Sequence, residues 1–189
     1  MKLNDKLHLV IPVYGDGEEI VAYVHSAPVS REVFQANYKL IARTFSAIYS
    51  EGLHVVAGPR VAMFTLQEIA EQGDLGASAL AFMNEVRRLS NVLTRGINGW
   101  ESTSLQDAVD SHLLGDEDLS EVMNAIVFFT VGSAMLHKQS RAIQMDGAAK
   151  LWGARTSSLD FTAFVGSLGT STSGAPIMKP RAPASSVPY

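Results

Sequence analysis

Apolar residues alternate with their neighbours in the first segment, where Leu7, Leu9, Ile11 and Val13 interleave with His8, Val10, Pro12 and Tyr14. The alternation resumes after Gly15-Asp16-Gly17 in the run EIVAYVHSA. A period of two on both sides of a glycine turn predicts a β-hairpin. Pro12 has no amide hydrogen to give to a ladder, which places its strand at an edge with Pro12 turned from its partner. A lone hairpin is marginal in water, so it must pack on something else.

The period then changes. Val33, Phe34, Asn37, Tyr38, Ile41, Phe45 and Ile48 recur at spacings of three and four behind Ser30, an N-cap residue, and ahead of Gly52. This predicts a helix over 31–50 with one apolar stripe. Further helices are predicted over 60–71, opened by Gly58-Pro59 and ended by Gly73, and over 77–93, before the breaks at Gly96, Asn98 and Gly99. Ser104 caps a short helix to about residue 114, and the last helix covers 141–151.

Between these two lies EVMNAIVFFTVGSAM, Glu121 to Met135, in which Thr130 and Ser133 are the only polar residues after Asn124. It is shorter than the roughly 20 apolar residues of a spanning helix, so a membrane is not its expected partner. A helix apolar on every side has to be surrounded, by its own fold or by another chain. After Trp152 the composition shifts to Ser, Thr, Gly, Ala and Pro, and no acidic residue follows Gly166. Residues 155–168 fit either one strand or an extended arm, and the remainder is expected to be disordered in isolation. The predicted fold is therefore mainly α: an N-terminal β-hairpin packed on a helical bundle over 1–153, with an extended or disordered C-terminal tail over 154–189.

Composition narrows the chemistry. At 189 residues and 47% hydrophobic the chain has the material for one well-buried core, and its net charge of -4 gives no general attraction to nucleic acid. With no Cys, disulfide and thiolate chemistry are excluded. The start of the chain breaks its apolar run with Asp5, Lys6 and Pro12, unlike a secretory signal, so Met1 is read as the mature start.

Each motif with catalytic potential has a simpler explanation. Gly15-Asp16-Gly17 runs into Glu18 and Glu19, where a pyrophosphate would be repelled, and Gly147-Ala148-Ala149-Lys150 lacks the other residues of a phosphate loop. Asp110, Ser111 and His112 are adjacent on a predicted helix and point about 100° apart, which forbids a relay. Asp116, Glu117, Asp118 and Glu121 suit a helix N-terminus, and Arg87, Arg88 and Arg95 fall late in their helix, as the dipole favours. His8, His25, His54, His112 and His137 form no ligand pair and are expected to be surface or half-buried residues. No catalytic residue, cofactor or metal site is expected. The candidate partner-binding residues are Phe128, Phe129 and Met135 on the apolar helix, and Phe161, Phe164 and Leu168 beyond it, as short anchors of the kind that order on binding.

Four runs carry a resemblance: HSAPVSREVFQANYKLIARTFSAIYSEGL from His25, MNEVRRLSNV from Met83, EVMNAIVFFTVGSAMLHK from Glu121 and LWGARTSSLDFTAFVGSLGTST from Leu151. Together with Gly99-Trp100 they resemble the tail assembly chaperones of long-tailed bacteriophages, the minor tail protein G-like group. The resemblance implies a non-catalytic protein of the host cell cytoplasm that binds the tape measure protein, keeps it soluble and helps recruit tail tube protein. It implies absence from the mature virion, and in that family a longer frameshifted product is often made. Several weak contacts along one client would gain by multivalency, so self-association is expected; nucleic acid and membrane are not expected partners. A structural virion protein of the tail or the head-to-tail connection is the alternative.

Overall fold

The computed structural model describes residues 7–15, 19–50, 57–72, 74–96 and 99–168. Among the features named above, the turn residues Asp16 and Gly17, the helix stops Gly52 and Gly73, His54, Asn98 and the tail beyond Leu168 lie outside the described residues.

The hairpin forms as β1 (His8–Tyr14) and β2 (Ile20–Ser26), antiparallel, with Pro12 opposite Tyr23. The predicted helix over 31–50 is two helices, α1 (Arg31–Ala36) and α2 (Tyr38–Ser50). They break at Asn37, whose side-chain amide donates to the Val33 carbonyl at 2.9 Å and so competes with the helix ladder. Ser30 accepts from the Val33 amide at 3.3 Å, as an N-cap should. Two more helices follow, α3 (Gly58–Gln72) and α4 (Gly76–Arg88).

Here the mainly α expectation fails. The helix predicted to run to residue 93 stops at Arg88, and Ser90–Gly96 is a strand, β3, followed by a second strand, β4 (Gly99–Ser104). β3 pairs with β2, and β5 (Arg155–Ser157) pairs with β1, which gives a five-stranded antiparallel sheet in the order β4-β3-β2-β1-β5. The domain is a sheet with helices around it, not a hairpin resting on a bundle. The misreading has a local cause: Val86, Leu89 and Val92 continue a helical spacing of three, while Val92 and Thr94 are β-branched and equally suited to a strand. Pairing with β2 decides between them. At the switch the buried Ser90 hydroxyl lies 2.9 Å from both the Ser26 hydroxyl and the Val86 carbonyl, tying the end of α4 to the sheet.

Ser104 closes β4 and caps α5 (Leu105–Asp110), accepting from the Asp107 amide at 3.0 Å. The apolar helix is α6 (Asp116–Met135), with Asp116, Glu117 and Asp118 in its first turn, where the macrodipole favours anions. It is followed by α7 (Lys138–Leu151), and Gly153 ends that helix at a left-handed φ of 70°. The segment after residue 153, expected to be extended or disordered, forms β5 and a short helix, α8 (Phe161–Ser167), before the described residues end.

Helices cover one face of the sheet. Leu9, Ile11, Val24 and Val92 point into the main core with Ile41, Leu66, Phe82, Ile126 and Phe129 from α2, α3, α4 and α6. α3 packs on α2, α4 and α6, and α6 also touches β1. The other face carries a smaller cluster of Val10, Tyr23 and Leu93, closed by Phe164 of α8. Antiparallel sheets often leave one face wet; here α8 covers part of the second face and buries Val10, Tyr23 and Leu93.

Candidate functional site

The six candidate binding residues separate into two sets. Phe128 and Phe129 are 3% and 1% exposed in the main core, where the Phe128 ring meets Trp152 edge-on at 4.8 Å, and Met135 is half-buried against the same cluster. In this conformation their apolar surface is taken up by their own fold. Phe161, Phe164 and Leu168 belong to the second cluster, across the sheet from α6. The sheet lies between the two sets, so they form no continuous surface.

The second face is an aromatic layer. Phe164 is fully buried, with its ring 5.8 Å from that of Tyr23 and 5.3 Å from that of His25; Trp100 flanks Tyr23 at 5.3 Å. The Arg155 guanidinium sits over the Tyr23 and Phe164 rings at 5.9 and 5.6 Å, and that of Arg95 over Trp100 at 5.5 Å. Burial pushes the Tyr23 phenol above its usual range, with Arg155 opposing the shift. Asp160 caps α8 by accepting from the Ala163 amide at 2.9 Å.

His8 and His25 differ most from expectation. Read as surface or half-buried residues, they are 3% and 1% exposed, because the strand alternation turns both under α8. Their Nδ1 and Nε2 atoms donate to one acceptor, the Leu159 carbonyl, at 2.7 and 3.2 Å. The tautomers follow from the acceptor, since a carbonyl has no hydrogen to give. Burial holds His25 below the ordinary histidine pKa, although the Leu159 carbonyl and Asp160 pull the other way.

A second surface lies between α3, α4 and α6. It is an open groove of about 450 Å³ whose apolar lining is Met63, Phe64, Leu119 and Met123. Phe64 is 66% exposed. Arg60 and Arg87 stand on the α3 and α4 sides, and Asp116, Glu117 and Glu121 on the α6 side. The Arg87 Nε is buried and has no hydrogen-bond partner among the described residues, a costly state that a ligand oxygen would relieve. On α3 the buried Ala62, Leu66 and Ile69 follow helical spacing, and Phe64 falls about 200° from Ala62 and Leu66, which turns it away from the core.

Among the described residues no group of three or more His, Asp or Glu converges as a metal would need, and no helix is long and apolar enough to cross a membrane. Compared with protein families, with characterised proteins and with solved structures, the chain matches none of them.

Proposed function

We propose that this protein is a phage tail assembly chaperone that works by binding and without catalysis. Its client is the tape measure protein, which it holds soluble in the host cell cytoplasm while tail tube subunits are recruited, and it leaves before the virion is complete. The observation that carries the reading is the groove between α3, α4 and α6, with Phe64 66% exposed beside it. An apolar floor between a basic and an acidic wall suits an amphipathic helix, which lays its apolar face down and offers charges to both sides. The four runs that resemble tail assembly chaperones support the identity of that client. Leu80, Ile143 and Leu151 are exposed elsewhere, as further weak contacts along an elongated client would require.

Co-expression with the tape measure protein of the same genome tests this. The client is expected to be soluble with the wild-type chain and to precipitate with Phe64→Asp, provided the variant keeps its fold by circular dichroism. A client equally insoluble with and without the wild-type chain refutes the proposal. Mass spectrometry of purified particles provides the second test: a stoichiometric signal in the virion marks a structural protein of the tail or the head-to-tail connection instead.

A further inference from the structure

Two buried imidazoles meet one backbone carbonyl where the chain enters α8. His8 and His25 both donate to Leu159 O, and their rings are 5.0 Å apart in an edge contact. Leu159 immediately precedes the α8 cap, Asp160, so this carbonyl holds the near end of the helix to the sheet. Phe161 and Phe164 then close over His25 at ring separations of 5.6 and 5.3 Å. We infer that the His8–His25 pair is an acid-sensitive latch: while both rings are neutral α8 stays seated, and their protonation lifts α8 and opens the aromatic face of the sheet to apolar ligands.

The surroundings favour the neutral pair. From β1 the group facing His25 is His8 itself; from β2 it is Tyr23; from β3 they are Asn91, directly opposite His25, and Arg95 further along; from β5 it is Arg155. From the α8 side Asp160 supplies a carboxylate that acts on His25. Two imidazolium charges 5.0 Å apart, both buried and near the Arg155 cation, would be expensive through their mutual repulsion and lost hydration. They reach water only if something moves. The sheet is held by its ladders, whereas α8 has seven residues, fewer than the roughly 12–15 that an isolated helix needs, so α8 is the element that yields and then unravels.

The direction with pH follows from linkage. Burial holds His25 below the ordinary value of 6.5, so the open form takes up the proton first. Closure is therefore complete above pH 6.5 and is lost progressively as the pH falls below it. This holds whether or not the groove on the opposite side binds a client.

The test uses the full chain at pH 7.5 and 5.5, with amide hydrogen exchange corrected for intrinsic rates and with the dye 1-anilinonaphthalene-8-sulfonate as apolar probe. At pH 5.5 the α8 amides are expected to lose at least about tenfold of their protection and dye fluorescence to rise several-fold, while the Ile126–Val131 amides of α6 stay protected. The double variant His8→Gln, His25→Gln keeps a donor at each position without a titrating group, and is expected to show neither change. Equal α8 protection at both pH values in the wild type overturns the inference, as does loss of α6 protection together with α8, which would be general acid unfolding. Should the double variant not fold, ring-proton NMR of the wild type decides: opening must share its midpoint with the titration of His8 or His25, and a midpoint apart from both overturns the latch.

Discussion

Glycines in the main core show how a single Cβ is judged by what it would strike. At Gly58 it would meet the Phe128 ring, which is buried and held edge-on by Trp152, so Gly58→Ala is expected to cost about 1–3 kcal/mol by overpacking. At Gly132 the nearest atoms are the Met145 methyl and sulfur, 2.9 and 3.0 Å away, at the adaptable end of a flexible side chain. There the roughly 1 kcal/mol that Ala gains over Gly inside a helix offsets the repacking, and Gly132→Ala is expected to lie within about 1 kcal/mol of wild type. Urea denaturation of the two variants side by side checks the contrast. Gly58 was legible as a helix opener, but its contact with Phe128 was not, because it joins residues 70 positions apart. The histidines repeat the lesson: their alternation along β1 and β2 was visible, and their burial depended on a helix contributed from the far end of the chain.

At the scale of elements, local signals succeeded where the local structure is set by neighbouring residues. Ser30 and Ser104 both cap helices as their positions predicted. Ser104 also donates to the Asp107 carboxylate at 2.6 Å, so Ser104→Ala is expected to lower stability by about 1 kcal/mol, measurable as a shift of the urea midpoint at constant slope. The β1–β2 hairpin was likewise readable from its period of two. Local signals failed at Ser90–Gly96, where the residues satisfy two periods and only the ladder to β2 selects one. Over 155–168 they left one strand or an extended arm open, since the three residues of β5 that pair with His8–Val10 contain too little pattern to choose.

For the whole molecule, the sheet separates a large core from a small one, and the two should respond differently to the same chemistry. Phe129→Ala, in the main core, is expected to cost about 3–5 kcal/mol of global stability. Phe164→Ala removes a ring of the same size from the second cluster, and its main effect should be confined to α8. Hydrogen exchange separates the cases: in Phe129→Ala protection falls across α6 and the sheet, whereas in Phe164→Ala it falls in α8 with α6 unchanged. The amino-acid sequence by itself determined the hairpin, most helix positions and the need to enclose the stretch from Glu121 to Met135, because these depend on periodicity and capping over a few residues. Tertiary structure alone decided that five strands share one sheet, that Phe128 and Phe129 face inward while Phe64 faces out, and that α8 lies over two histidines. Those outcomes rest on contacts between segments far apart in the chain, and a local pattern of apolar residues records that a face must be covered without recording what covers it.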